Sequence, residues 1–395
     1  MDEQRAAPAT RTDSAEGRGA PVTHPAVRSR AGEKTALICF SHLRWHFVFQ
    51  RPQHLMTRFA REMRVFYVEE PVYCDEAAPR LERHRTTHGV EILVPRLPHG
   101  QSEAMQIAAQ RRLLDGFLAE EAIAAPILWY YTPMSAAFSD HLAARKVVYD
   151  CMDELSAFRG APAAMLERER QLLARADVVF TGGYSLYEAK RGRHPNVHAF
   201  PSSVDVAHFR KARAALPEPD DQREIPRPRI GHYAVLDERL DLALLAAIAD
   251  ARPVWHLVLV GPVVKIDPAE LPRRPNIHYL GGKRYEELPA YLAGWDIAFM
   301  PFAINEATRF ISPTKTPEYL AAGKEVVSAP ITDVVRSYGE AGLVRIAEGP
   351  AEFVAAIAAA LEGRTERRAW LAAVDRALEA MSWEETWKQM KGLME

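Results

Sequence analysis

Short runs of Val, Ile and aromatic residues recur along this chain with longer helical stretches between them, and that alternation admits few folds. A strand buried on both faces reads as a continuous apolar run, so the pattern is that of a parallel sheet with helical crossovers. The runs fall at 36–40, 65–68, 91–94, 127–131, 147–149, 178–180 and 197–200. They stop over residues 215–229, A-L-P-E-P-D-D-Q-R-E-I-P-R-P-R, whose prolines and charges read as an exposed linker. They resume at 230–233, 255–260, 277–280, 297–300, 326–328 and 344–346. From 350 onward the chain reads as helix, with Trp370, Trp383 and Trp387 as large anchors. The fold class is therefore α/β, with two doubly wound, Rossmann-like parallel-sheet domains at 34–214 and 230–370. Helices over 371–395 are expected to cross back to the first domain. At 395 residues the chain can form two separate cores.

Two such domains joined by one linker imply a cleft between them, with ligands beyond the carboxyl ends of the strands. Composition narrows what that cleft can bind. The 50 basic and 52 acidic residues nearly cancel, which leaves no basic nucleic-acid footprint at the level of net charge. Cys39, Cys74 and Cys151 are far apart and odd in number, which fits a reducing, cytoplasmic setting. No apolar run reaches the roughly 20 residues that span a bilayer, and no signal-peptide block is evident. Residues 1–33 are poor in large apolar side chains and read as a disordered tail. The tail's arginines (Arg5, Arg11, Arg18, Arg28, Arg30) could touch an anionic membrane surface, giving peripheral contact at its inner face, although a solvated tail is the simpler reading.

The segment 300–330, M-P-F-A-I-N-E-A-T-R-F-I-S-P-T-K-T-P-E-Y-L-A-A-G-K-E-V-V-S-A-P, joins a buried strand, a polar loop and a short helix. Thr316 can cap that helix, Pro317 suits its first position, and Gly323 can end it. The free N–H groups of such an end, with Lys315 beside them, form a seat for a phosphate. Glu318 would be repelled by a phosphate in contact, so it is expected to accept hydrogen bonds from a sugar hydroxyl. The group suggests a sugar attached to a phosphate.

Other polar residues follow strands as well. The loop 41–55, S-H-L-R-W-H-F-V-F-Q-R-P-Q-H-L, crowds three histidines, two arginines and a tryptophan. His42 and His46 have the i, i+4 spacing of a metal pair, but they lack a helix and a third ligand, so no metal is expected there. His194 and His198 share the spacing with Pro195 between them, and the same conclusion holds. His42 alone can serve as an acceptor or donor-sugar contact, or make a structural hydrogen bond. Asp153, in Y-D-C-M-D-E-L-S, can cap a helix or bind an acceptor hydroxyl across the cleft. Arg239 and Lys265, each after a strand of the second domain, would converge with Lys315 on one anionic group. The glycines of G-G-K-R-Y let the backbone approach a flat ring, with Tyr285 near a nucleobase. The absence of any D-x-D argues against a metal-held diphosphate.

With these residues in place, the second domain resembles the retaining, GT-B-fold glycosyltransferases of the family 4 type. The resemblance rests on N-I-H-Y-L-G-G-K-R-Y-E-E-L-P-A-Y-L-A-G-W-D-I-A-F-M-P-F and then S-P-T-K-T-P-E-Y-L-A-A-G-K-E-V-V-S, in that order. The first domain's F-S-H-L-R-W-H-F-V-F-Q-R-P-Q-H-L, V-Y-D-C-M-D-E-L and F-P-S-S-V-D-V-A-H-F are similar to a bacterial subgroup of cell-surface polysaccharide enzymes, teichuronic-acid-type enzymes among them.

The resemblance implies a GT-B fold with an interdomain cleft, and metal-independent, retaining transfer of a sugar from a nucleotide diphosphate, a UDP sugar above all, to a hydroxyl acceptor. That acceptor would be a glycan, a lipid-linked glycan or a small molecule, and no cofactor beyond the nucleotide sugar is implied. Glu318 matches the second glutamate of the family's E-x7-E motif, the ribose contact. Phe310 stands where the first glutamate belongs, so Glu306 or Asn305 is expected to take the sugar. Arg239 and Lys265 stand in for the usual diphosphate grip. His42, Asp153 and Glu306 are thus the expected catalytic residues, and Arg239, Lys265, Tyr285, Asn305, Lys315, Thr316 and Glu318 the donor-binding ones. A nucleotide-sugar epimerase and a non-catalytic sugar-nucleotide-binding protein are the alternatives.

Overall fold

A computed structural model describes residues 34–363 and 365–395; the expected tail over 1–33 lies outside them. The first sheet contains β1 (Ala36–Phe40), β2 (Arg64–Val68), β3 (Val72–Cys74), β4 (Arg80–Arg85), β5 (Val90–Pro98), β6 (Ile127–Tyr130), β7 (Lys146–Cys151), β8 (Val178–Thr181) and β9 (Val197–Ala199). Its order is β3-β5-β2-β1-β6-β7-β8-β9, with β4 antiparallel to β5 and the other pairs parallel. The second sheet contains β10 (Arg229–Tyr233), β11 (His256–Val260), β12 (Ile277–Tyr279), β13 (Ile297–Met300), β14 (Val326–Ser328) and β15 (Arg345–Ile346). It is parallel throughout, in the order β12-β11-β10-β13-β14-β15.

Every residue of β1, β6, β8, β10, β13 and β14 is buried, as a sheet covered on both faces requires. Strand order reverses beside β1 in one sheet and beside β10 in the other. Crossover helices therefore leave in opposite directions at those points and open a crevice at the carboxyl ends. Gly231 in β10 permits close cover on this sheet, because an added Cβ would lie 1.9 Å from the Trp295 ring.

One strand, β4, is charged rather than apolar. β4 reads R-L-E-R-H-R and lies at an edge, where Arg83 pairs with Glu91 and Arg96 with Glu82. Charge on an edge strand blocks unwanted pairing and also hides the strand from an apolar pattern.

The expected linker at 215–229 is held more firmly than an exposed segment would be. Gln222 and Ile225 are buried, residues Asp220–Arg223 form a helical turn, and Trp295 Nε1 donates to Gln222 Oε1 at 2.8 Å. The buried Arg229 guanidinium donates to Ile225 O and Glu218, which fixes the segment's prolines against the second domain.

The helix Arg367–Glu379 packs into the second domain's core through Trp370, Val374 and Leu378. The helix Trp383–Met394 lies instead on the helix Arg51–Phe59, and Trp383, Trp387, Met390 and Met394 join the first domain's core. Trp383 stacks on His54 at 4.6 Å, and Glu384 accepts from Arg58 and Arg61. Among the described residues, no helix is long and apolar enough to cross a membrane.

Candidate active site

A cleft of about 1040 Å³ opens between the two sheets at the carboxyl ends of their strands. The first domain contributes the loop after β1, Asp153 after β7 and Gly182 after β8. The second contributes Tyr233 to Val235 and Arg239 after β10, Gly261 after β11, and residues 311–315 after β13. Both crevices thus face one space.

Most of the polarity in the loop after β1 serves to shape it. Ser41 Oγ accepts from Leu43 N at 3.0 Å and from the Tyr67 hydroxyl at 2.7 Å, while Glu69 accepts from Trp45 N and Arg44. The chain then enters the helix Arg51–Phe59, whose Arg51 is buried against Asp150 at 2.8 Å and donates to Phe200 O at 2.7 Å. Burial raises the Asp150 carboxyl, and Arg51 opposes that rise. A removed partner would leave a bare charge in the core, so this pair acts as scaffold.

His42 is not among the residues that line the cleft. Its Nδ1 is buried without a hydrogen-bond partner among the described residues, and burial lowers its pKa to about 4, helped by Lys265 and opposed by the Tyr131 backbone. It is a neutral imidazole at pH 7. Asp153 does line the cleft, and it caps no helix: the following 3-10 turn, Leu155–Ala157, has Glu154 at its cap position. Burial lifts Asp153 to about 6 against the pull of Arg239 and Arg51. No hydrogen bond from the described residues reaches its carboxylate, which leaves an acceptor exposed to the cleft.

Arg239 and Lys265 both lie over the ring of Phe158 from the first domain, at 5.7 and 5.3 Å. Arg239 donates to both Asp237 carboxylate oxygens, while Lys265 occupies the left-handed backbone region at φ +64°. Lys315 reaches 2.9 Å from Glu318 Oε2, and its ammonium lies 4.5 Å from the Tyr233 ring centroid. The Tyr233 hydroxyl donates to the same Oε2. Arg239 and Lys315 therefore line the same cleft as Asp153, while Lys265 shares the Phe158 ring with Arg239 without lining it.

Several expectations are corrected. Thr316 is not the cap: the helix Lys315–Ala321 has Thr314 there, and Pro317 lies deeper than the first position. Thr316 is fully buried, its hydroxyl turned to Met300 Sδ and its N–H to Pro313 O, so it offers nothing to a ligand. Asn305 and Glu306 do not reach the cleft. Asn305 Oδ1 accepts from Thr308 N at 3.1 Å and shapes its own turn. Glu306 is 76 % exposed and is 3.7 Å from Arg309, so it cannot touch a sugar held in the cleft. Tyr285 lines the cleft but stacks on His208 at 4.3 Å, with Phe49 at 5.2 Å, so a base on that face would displace His208.

His194 bonds Ala176 O and His198 bonds Asn196, as structural histidines do. Among the described residues, no group of three or more His, Cys, Asp or Glu side chains could hold a metal ion.

The sequence reading missed Tyr233, the β4–β5 turn that brings Arg85 and His88 to the rim, and the pair Gly182-Gly183. An added Cβ on Gly183 would lie 2.1 Å from Asp333 Oδ2 of the second domain. T-G-G-Y was a readable signal of the same kind as G-G-K-R-Y. Tyr233 gave none, because it ends an apolar run and looks like core.

The sequence matches the family described as "Glycosyl transferase-like" over residues 239–392. It is 28% identical over 221 residues to TuaH of Bacillus subtilis (strain 168), provisionally described as a teichuronic acid biosynthesis glycosyltransferase; the match spans 51% of this chain and 54% of that protein. The chain thus aligns with about half the length of that relative.

Among solved structures, the sucrose-phosphate synthase of Thermosynechococcus elongatus superposes with a TM-score of 0.63 at 14% identity, over 91% of this chain and 98% of the other. Anabaena Alr3699/HepE, in complex with UDP and glucose, gives 0.63 at 14% over 91% and 99%. A UDP-forming α,α-trehalose-phosphate synthase of Burkholderia xenovorans gives 0.65 at 13% over 91% and 98%. At these identities the likeness establishes the fold: two parallel-sheet α/β domains in the GT-B arrangement.

Proposed function

We propose that this protein is a glycosyltransferase that moves a sugar from a nucleotide diphosphate, a UDP sugar foremost, to a hydroxyl acceptor with retention and without a metal. In this reading residues 34–214 form the acceptor side, 230–370 the donor side, and the helices over 371–395 join the two. The observation that carries it is the placement of Asp153, Arg239 and Lys315 in the lining of one cleft, with Lys265 sharing the Phe158 ring with Arg239 and Glu318 paired to Lys315. The match of residues 239–392 to a glycosyltransferase-like family supports the same assignment.

As the glycosidic bond lengthens, negative charge gathers on the diphosphate and the sugar becomes oxocarbenium-like. Arg239 and Lys315, with Lys265 on the Phe158 ring beside Arg239, stabilise that leaving group electrostatically. Asp153 accepts a hydrogen bond from the incoming hydroxyl, and Glu318 one from the ribose. His42, neutral and set back from the cleft, acts through position rather than charge. The acceptor is a sugar hydroxyl of a glycan, lipid-linked glycan or small molecule, and a cytoplasmic enzyme working at the inner membrane face would meet all three.

The test is NMR of a nucleotide-sugar panel with simple glycoside acceptors, with and without EDTA. A product with the donor's anomeric configuration, formed equally in EDTA, is expected. Inverted configuration or loss of activity in EDTA would refute retention or metal independence respectively, and epimerised donor without transfer would replace the reading.

A further inference from the structure

Both hydrogen bonds to the Glu318 carboxylate land on the same oxygen. The Tyr233 hydroxyl and Lys315 Nζ each donate to Oε2, and among the described residues nothing donates to Oε1. The Glu318 side chain is 8 % exposed, and both of its donors, Tyr233 and Lys315, line the cleft.

Tyr233 is itself rigidly held. Its N–H donates to the Tyr319 hydroxyl at 2.9 Å, the Tyr319 hydroxyl returns a bond to its carbonyl at 3.2 Å, and its ring packs edge-on to Tyr319 at 5.0 Å. Burial and the nearby Glu318 charge raise the Tyr233 phenol well above its ordinary pKa, so it remains a donor at any physiological pH. Its ring also faces the Lys315 ammonium at 4.5 Å. One side chain therefore fixes both the carboxylate and the cation next to it.

We propose that Tyr233 is a positioning residue that holds Glu318 with Oε1 turned to the cleft, so that Oε1 receives the vicinal diol of a nucleoside's ribose while Lys315 meets the adjoining phosphate. This rests on the nucleotide-sugar reading of the cleft. A carboxylate tied down at one oxygen has a single direction left for accepting, so it selects a diol over a ribose that lacks one. Without the Tyr233 hydroxyl, Oε2 keeps Lys315 alone, and the carboxylate can turn toward the cation.

The experiment is calorimetric binding of UDP and 2′,3′-dideoxy-UDP, with GDP, ADP and CDP as controls for the base, to the full chain and to Tyr233→Phe and Tyr233→Leu. Wild type should prefer UDP over its dideoxy analogue by about tenfold or more, the effect of one hydrogen bond to a charged group. Tyr233→Phe keeps the ring under Lys315, so its dideoxy-UDP affinity should match wild type while the diol preference shrinks by about tenfold. Tyr233→Leu should also weaken both nucleotides, because Lys315 loses its aromatic support. An unchanged diol preference in Tyr233→Phe would overturn the positioning role, as would an equal loss for both nucleotides. If wild type binds none of the nucleotides, the reading of the cleft fails first, and the proposal with it.

Discussion

Asp153 shows what burial does to a single carboxyl group. Its pKa of about 6 in the folded chain stands above the ordinary 3.8, so folding favours the neutral form. That contribution is complete below about pH 4 and is lost as pH rises through 6. Asp153→Asn removes the ionisation, so the melting temperature of the variant relative to wild type should rise from pH 4 to pH 8. Melting curves across that range would show it, and a pH-independent difference would contradict it. If the ionised carboxylate receives the acceptor, the wild-type rate should also fall below pH 6, and the variant should lack that limb. The residue was legible from sequence as a carboxylate after a buried strand; its environment was not, because Arg239 and Arg51 reach it from distant segments.

At the level of elements, the helix Trp383–Met394 separates two kinds of contact. Trp383 is buried and stacked on His54, whereas Glu384 is 40 % exposed in its pairs with Arg58 and Arg61. Trp383→Ala should destabilise by about 3–5 kcal/mol through a core cavity. Glu384→Ala should cost less than about 1 kcal/mol, since water already screens that pair. Denaturant titration would measure both, and comparable losses would mean that charge rather than packing docks the helix.

The parallel strands were readable because burial on two faces demands continuous apolar sequence, and the runs at 36–40, 297–300 and 326–328 coincide with β1, β13 and β14. β4 was not, because its charges serve an exposed edge. The loop after β13 misled for a related reason. Asn305 and Glu306 are polar and follow a strand, but Asn305 is spent on its own turn, and residues 311–315 enter the cleft instead.

Across the whole molecule, the two sheets approach closely at Gly183. Asp333 Oδ1 accepts from Ser185 N at 2.9 Å, and Ser202 Oγ donates to Ser312 O at 3.1 Å, so backbone and side chains interlock across the cleft. In Gly183→Ala the new methyl would lie 2.1 Å from Asp333 Oδ2 and 2.8 Å from Ser312 Cβ, so the Asp333 carboxylate must turn away from Ser185 or the domains part to accept it. Small-angle scattering should show a larger radius of gyration, with turnover reduced because water enters the site. Adding Asp333→Ala should restore part of the compaction, and an unchanged radius in Gly183→Ala would show that this contact does not set the spacing. No single segment of sequence could have revealed it, since the partners are far apart along the chain.

Binding of a nucleotide sugar in the cleft, with Glu318 on the ribose, is open to direct measurement. It is tested most directly by following a panel of nucleotide sugars by phosphorus NMR with wild type and Glu318→Ala, without acceptor. At least one donor should be slowly hydrolysed to free nucleoside diphosphate by wild type, and about ten- to a hundredfold more slowly by the variant at subsaturating donor. Equal rates in the two proteins, or no donor cleaved or bound by either, would contradict it.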